Sequence, residues 1–383
     1  METTLDLLDL EADWTGEHKE IVSSVRRYVD TEVLPRMKEH QRAGTFPKDV
    51  LPGLAKLGLL EALATNSLDP VAYGLAMREL ERAGSTIRSF ASVQGSLVMS
   101  AIEMLGTDSQ KKEWLPSLGR LEAIGCFGLT EPDFGSNPAG MRTKAEKTAK
   151  GYKLSGQKCW ITNGMAAKVA VIWAKLDGTV NGFLVPTATP GFEAREIRDK
   201  WSFRTSDTAE LFLQDVEVPE SARLPKAQSL GSALKCLNQA RYGIAWGVVG
   251  AAMACFEETR RYLVERPQFN GRPLASHQLI QSKLAWMATE ITTMQLLAKR
   301  LGELKSEDRL QPQQVSLGKM NNCRKALEVA RTCRDLLGAA GIHHEHHVGR
   351  HLTDLETVLT YEGTEHIHSL ILGEHLTGIP AYV

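Results

Sequence analysis

Apolar positions along this 383-residue chain recur at two periods, and the changes of period divide it into three parts. From about residue 15 to 120 the steps are three and four: Ile21, Val25, Tyr28 and Val29 form one stripe, and Leu75, Leu80 and Ala83 belong to another. That spacing predicts helices with one buried face. Phe46-Pro47, Pro52-Gly53 and Asp69-Pro70 read as breaks between them, and Thr107-Asp108 as the start of a helix through Trp114 with Pro116 late in it. From about Ala123 to Pro225 the period falls to two. Residues 152–161 read as a strand interrupted by a turn, and 169–174, 182–186 and 210–218 as further strands. In the last of these the alternation slips at Gln214-Asp215, which predicts a bulge. From Leu230 onward the helical period returns in long runs. Leu284, Met287, Ile291, Met294, Leu297, Leu301 and Leu304 line one face, and a further helix over 315–337 ends at Gly338.

Helices, then strands, then helices, without βαβ alternation, predict a mostly α protein with a central, mostly antiparallel β-domain (barrel or sandwich) and a C-terminal helix bundle. The expected units are 1–122, 123–226 and 227–383. The long apolar stripe also suits a subunit interface.

Composition narrows the function. Forty-five basic residues against 46 acidic ones give a net charge of -1, which leaves no electrostatic footprint for nucleic acid. The six cysteines lack CxxC spacing, so reduced thiols in a cytoplasmic compartment are expected rather than disulfides or zinc. Met1-Glu2-Thr3-Thr4-Leu5-Asp6 has neither a basic nor an apolar leader character. The apolar run 242–256 is too short to span a bilayer and reads as a buried helix, so no membrane insertion is expected. No GxGxxG follows a strand and no GxxxxGK[ST] occurs. A dinucleotide would therefore be held in some other way.

Candidate chemistry concentrates near the C-terminus. Tyr361-Glu362-Gly363-Thr364 sets one carboxylate beside a glycine between apolar runs. Burial would raise its pKa toward neutrality, as a general base for a weakly acidic C–H requires; the alternative is a surface glutamate in a helix–turn–helix connection. Residues 127–136 offer two glycines, a threonine and a serine around Glu131-Pro132, which suits a cofactor edge or phosphate, or simply a domain connection. Trp160-Ile161-Thr162-Asn163-Gly164 reads either as a wall against a flat ring or as a core tryptophan before a turn. Arg266 suits a diphosphate. Arg241-Tyr242-Gly243 suits substrate binding or a helix anchor, and Gly338-Ala339-Ala340-Gly341 suits close ligand approach or a helix cap. His343-His344-Glu345-His346-His347 does not match HExxH and reads as a polar helix start, so no metal is expected.

Cys126-Phe127-Gly128-Leu129-Thr130-Glu131-Pro132, Trp160-Ile161-Thr162-Asn163, the run from Cys236-Leu237-Asn238 to Arg241-Tyr242-Gly243-Ile244-Ala245-Trp246-Gly247, and Tyr361-Glu362-Gly363-Thr364 occur in one order. Together they resemble the acyl-CoA dehydrogenase family, within it the glutaryl-CoA dehydrogenases, over residues 22–381. The resemblance implies an N-terminal helical domain, a middle β-barrel, a C-terminal four-helix bundle and a homotetramer. It implies FAD contacted by Phe127, Leu129, Thr130, Gly135, Ser136, Trp160, Ile161, Thr162 and Thr364, with Arg266, Gln278, Asp335, Leu337, Gly338 and Ala339 on the adenine dinucleotide end. It implies Glu362 as catalytic base and Ser136, Asn238, Arg241, Tyr242 and Gly363 on the acyl-CoA. Glu81, Arg88, Ser89, Ser92 and Tyr361 would choose the acyl group, with Arg88 on a distal carboxylate.

The implied reaction is oxidation of glutaryl-CoA with decarboxylation to crotonyl-CoA, electrons leaving to an electron-transfer flavoprotein. The alternatives are a non-decarboxylating dehydrogenase of another short-chain or dicarboxylyl-CoA, and a non-catalytic flavoprotein. Three departures from the family pattern are a short stretch over 60–70, an extra residue in Phe269-Asn270-Gly271-Arg272, and Ile87 where many glutaryl enzymes carry tyrosine.

Overall fold

The computed structural model describes residues 5–65 and 67–381. Met1 to Thr4, part of the segment read for a leader, and Asn66, inside the short 60–70 stretch, lie outside the described residues. The first part is helical: α1 (Gly16–Tyr28), α2 (Leu34–Ala43), α3 (Leu51–Lys56), α4 (Leu59–Ala64), α5 (Pro70–Glu81), α6 (Ser85–Ser92), α7 (Ser100–Leu105) and α8 (Asp108–Gly119). Their starts are chemical. Asp69 accepts from Val71 N at 2.8 Å and Ala72 N at 3.3 Å, with Pro70 in the first turn of α5. Thr107 and Gln110 form a capping box on α8, where Pro116 is tolerated late in the helix. Pro52-Gly53 is not the break expected from the sequence. Pro52 occupies the first turn of α3, where its missing N–H is no loss. Between α6 and α7 the ladder loosens into a π-helical stretch, Val93–Met99.

The middle part is one curled sheet of β1 (Gly125–Gly128), β2 (Lys144–Thr148), β3 (Gly151–Thr162), β4 (Val169–Leu176), β5 (Thr179–Pro186), β6 (Phe192–Glu196) and β7 (Thr208–Pro219). Its pairings are antiparallel except β1 and β2 with β4. It is a single sheet rather than a sandwich. β3 is continuous where a turn was expected. Gly156 takes φ 152°, and a methyl there would stand 2.7 Å from Thr143 Cα, so the chain bends without leaving the ladder.

Two bulges mark β3–β7. Leu154 pairs Val216 and Gly156 pairs Leu213, so Ser155 faces both Gln214 and Asp215, where the alternation slipped. Lys158 pairs Leu211 and Ile161 pairs Ala209, so Cys159 and Trp160 together face Glu210.

The last part holds α9 (Leu230–Glu265), the hairpin strands β8 (Pro267–Gln268) and β9 (Arg272–Pro273), α10 (Gln278–Ser306), α11 (Pro312–Leu336), α12 (Val348–Thr360) and α13 (Glu365–Thr377). α11 packs on α9, α10, α12 and α13. α9 is buried all round from Ala240 to Phe256 because α10, α11 and α12 pack on it and α5 crosses it closely. Gly247 and Gly250 permit that crossing: a methyl on Gly250 would overlap the Arg78 carbonyl, and one on Gly247 would overlap Glu81 Oε2. No helix among the described residues is long and apolar enough to cross a membrane.

Candidate active site

The α12–α13 turn is the centre of the site. Tyr361 is extended, Glu362 takes φ 52° and Gly363 φ 95°, and Thr364 caps α13 by accepting from Ile367 N at 3.3 Å. A glutamate in the left-handed region persists only where its surroundings impose it. Here they do. Arg241 Nε on α9 donates to the Glu362 carbonyl at 2.7 Å, and Lys319 Nζ on α11 donates to the carbonyls of Tyr361 at 2.8 Å and Gly363 at 2.7 Å.

Glu362 lies in the predicted helix–turn–helix connection but not on the surface. Although the residue keeps some exposure, Oε2 is buried and has no hydrogen-bond partner. Burial pushes its pKa up to about 7, against the pull of Arg88, Arg241 and Lys319. A carboxyl poised there takes and returns a proton near neutral pH.

Arg88, on α6, is fully buried and not a helix-surface residue. Its Nε donates to Glu81 Oε2 at 2.6 Å, its Nη2 to the Tyr361 hydroxyl, and Ser85 holds the other Glu81 oxygen at 2.6 Å. These partners hold the guanidinium charged, its pKa above the usual arginine value despite burial. Its Nη1 has no partner, nor do the buried Ser89 and Ser92 hydroxyls on the same helix. Tyr73 adds a hydroxyl bonded to Ser96 Oγ at 2.6 Å. One side of the site thus carries unspent donors and hydroxyls near a carboxyl of raised pKa.

The β-domain offers a further candidate wall. Thr130 O accepts from Cys159 N at 2.9 Å, which lays the loop after β1 beside the second bulge. Within that bulge Trp160 takes φ 62° and is 61% exposed. It is therefore not a core tryptophan: the bulge aims its ring outward. Buried Glu131 fixes the loop, accepting from Lys158 Nζ at 2.8 Å, Arg142 N at 2.6 Å and Thr143 N at 2.9 Å. The connection from β6 to β7 reaches the turn as well: Phe203 N donates to Asp354 at 2.9 Å, and the Phe203 ring lies 5.9 Å from that of Tyr361.

Three models of one family match consecutive parts of the chain: Acyl-CoA dehydrogenase, N-terminal domain over residues 15–122, middle domain over 126–216 and C-terminal domain over 230–377. The chain belongs to the acyl-CoA dehydrogenase family. It is 32% identical over 375 residues to the probable acyl-CoA dehydrogenase YngJ of Bacillus subtilis (strain 168), covering 94% of this chain and 98% of that one. A glutaryl-CoA dehydrogenase from Mycobacterium smegmatis, solved in complex with FADH2, superposes with a TM-score of 0.97 at 46% identity, covering 99% of each chain. Butyryl-CoA dehydrogenase from Megasphaera elsdenii gives 0.90 at 29% identity, covering 95% of this chain and 99% of that one.

As an acyl-CoA dehydrogenase the protein uses FAD, and the wall described above fits a flavin: an exposed aromatic ring at a bulge lies beside a loop whose Gly135 and Ser136 are exposed. Phe127, Leu129 and Ile161 are buried behind that loop, and Thr130 and Thr162 are half-buried. The structure does not bring every expected residue to this place. Arg241 lies within α9 and Arg266 caps its C-terminal end, so the two stand roughly 37 Å apart at 1.5 Å per residue. Arg266, Gln278, Asp335, Gly338 and Ala339 are exposed at the far end, where Asp335, Lys283, Leu279 and Ile280 line a hollow of about 490 Å³; Leu337 is buried. The extra residue there lengthens a hairpin loop in which Asn270 and Gly271 are both left-handed. The Tyr242 hydroxyl points to α5 and donates to Pro70 O at 2.7 Å, and the residue is fully buried in the helical core. Asn238, half-buried, accepts from Arg241 at 3.3 Å.

Tyr73, Ser96, Lys319 and His368 were not singled out by the sequence. Lys319 had a signal, a charge within the apolar stripe Val315, Cys323, Ala326 and Ala330. Of the histidine cluster, His346 Nδ1 and His347 N bond Glu258 at 3.0 and 3.1 Å ahead of α12, while His343 and His344 are exposed. Among the described residues no cluster able to hold a metal ion is found.

Proposed function

We propose that this acyl-CoA dehydrogenase oxidises glutaryl-CoA and decarboxylates the product to crotonyl-CoA, passing electrons to an electron-transfer flavoprotein. The observation that carries this reading is the buried Arg88–Glu81 pair with Arg88 Nη1 unspent beside the Ser89 and Ser92 hydroxyls. A fixed, permanently charged N–H donor at the end of an acyl pocket suits a carboxylate and penalises an alkyl terminus. The likeness to the M. smegmatis glutaryl-CoA dehydrogenase supports it.

FAD would be held by residues 127–136, Trp160 to Thr162 and Thr364, with Arg266, Gln278 and residues 335–339 reaching the adenine end from a neighbouring subunit of a tetramer. The proposed units 1–122, 123–226 and 227–383 meet at this site, in a reducing cytoplasmic setting suited to six buried, unpaired cysteines. When bound, FAD supplies the hydride acceptor for the β-hydrogen.

Arg88 anchors the distal carboxylate, and Asn238, Arg241, Gly363 and Ser136 steady the thioester end. The Glu362 backbone N–H, donating to the thioester carbonyl, spreads the charge that develops as the α-proton leaves. Glu362 takes that proton and, shielded from water, keeps it while CO2 departs from the γ-carbon. It then returns the proton to that carbon, so the carboxyl ends deprotonated and crotonyl-CoA leaves.

The test is a spectrum of the purified yellow protein with glutaryl-CoA, followed by product mass. Bleaching with crotonyl-CoA is expected. Glutaconyl-CoA alone would replace this reading with that of a non-decarboxylating dicarboxylyl-CoA dehydrogenase.

A further inference from the structure

An ammonium group has three N–H donors, and one buried away from water needs an acceptor for each. Lys319 is buried on α11 and meets that need without a carboxylate: it donates to the carbonyls of Leu359 at 3.3 Å, Tyr361 at 2.8 Å and Gly363 at 2.7 Å. These are alternate residues from the end of α12 into the turn that carries Glu362. The carbonyl between them, that of Glu362, goes instead to Arg241 Nε at 2.7 Å. The consequence is geometric. The Tyr361 carbonyl lies in the peptide plane before Glu362 and the Glu362 carbonyl in the plane after it. Fixing both planes fixes φ and ψ of the residue they share.

We propose that Lys319 is the positioning residue for the proton transfer: with Arg241, it holds Glu362 in its left-handed conformation and aims the carboxylate at the acidic carbon of the acyl thioester. This rests on the reading of Glu362 as the base. Lysine suits the task better than arginine, because a compact ammonium serves three converging carbonyls and a planar fork does not.

Lys319 also acts through charge below its own pKa, which burial lowers to about 8. It faces Glu362 and Tyr361 in the turn, Arg88 on α6, Arg241 on α9, Cys323 on its own helix and His368 on α13. His368 is buried, and burial together with the Lys319 and Arg241 cations holds it unprotonated, its pKa down to about 3. The cations Arg88, Arg241 and Lys319 pull the Glu362 pKa down against burial. Removing one of them moves it up.

The experiment compares the full-length flavoprotein with Lys319→Met, Lys319→Arg and Lys319→Gln by amide hydrogen exchange and by the pH dependence of flavin reduction with glutaryl-CoA. Lys319→Met is expected to speed exchange over residues 359–366 by about tenfold while α10 keeps its protection. It should slow flavin reduction at saturating substrate by about a hundredfold with little change in KM, and move the acid limb of the rate up by about one pH unit. Lys319→Arg, which keeps the charge, should lose rate with the limb unmoved.

Native exchange over 359–366 together with a native rate in Lys319→Met overturns the proposal. So does a rate loss accompanied by faster exchange throughout the molecule and an unmoved limb. If Lys319→Met does not accumulate folded, Lys319→Gln, with no charge and at most two donors, carries the same comparison. Exchange needs no substrate, so a wild-type flavin that glutaryl-CoA fails to bleach would reject the functional reading while the loop test still decides.

Discussion

Glu362 concentrates three costs in one residue: a left-handed backbone, a carboxyl buried without a partner, and cations spent on holding it. Its folded-state pKa near 7 lies above the usual 4.5. Between those values the folded chain holds a proton that the unfolded chain has released, so Glu362 makes stability fall as pH rises through this window. Glu362→Gln should flatten that fall, by up to about 3 kcal/mol, in denaturant titrations at pH 4.5 and 7.5. An unchanged slope would mean that the carboxyl is not desolvated. The same variant should slow flavin reduction by about a thousandfold or more. For the unchanged protein the rate should rise with pH through about 7, since the base must be ionised to act. Arg88→Lys keeps the charge but loses the fork. It should weaken glutaryl-CoA by about 1.5–3 kcal/mol, roughly ten- to a hundredfold in KM, and leave a straight-chain acyl-CoA of similar length little affected.

At the level of elements, the site depends on how closely α9 passes α5 and α6. Gly247 faces the Glu81 carboxylate, and a methyl there would also stand 3.0 Å from Arg88 Cδ. Gly247→Ala should destabilise the fold by about 1–3 kcal/mol and displace the Arg88–Glu81 pair, seen as a lower Tm together with a raised KM for glutaryl-CoA. The helix spacing and several boundaries were legible: the start at Thr107, the break at Asp69-Pro70 and the stop at Gly338 all follow from local chemistry. So was the first bulge, because Gln214-Asp215 breaks the alternation. The second bulge was not. Cys159-Trp160 reads as ordinary strand, and the extra residue emerges only when β3 is laid against β7. A turn was expected within 152–161 because glycine there signals a break; paired on both sides by β2 and β7, the strand absorbs it instead.

Across the whole molecule, the expected cofactor and substrate residues fall in two groups, one in the β-domain and around Glu362, the other at the far end of α9. No single chain brings Arg241 and Arg266 together, because Arg266 caps the C-terminal end of α9 and the rigid helix holds it about 37 Å from Arg241. If the far end grips the adenine half of FAD bound in a neighbour, Arg266→Ala should weaken FAD affinity by about tenfold, leave turnover at saturating FAD nearly intact, and show light-scattering masses that fall as FAD is stripped. Chelation by EDTA should leave activity unaltered, since His346 and His347 are committed to Glu258 and to the start of α12.

What the sequence determined by itself was local: which stretches are helix or strand, where they start and stop, and which short segments hold glutamate, tryptophan and glycine in a meaningful order. Periodicity and capping are properties of neighbours in the chain, so they can be read from it. Tertiary structure decided the rest. The acidity of Glu362 depends on burial and on Arg88, Arg241 and Lys319, residues far from it in sequence. Hydrogen-bond closure and desolvation are set by what folding brings within about 3 Å, and no window of sequence contains that.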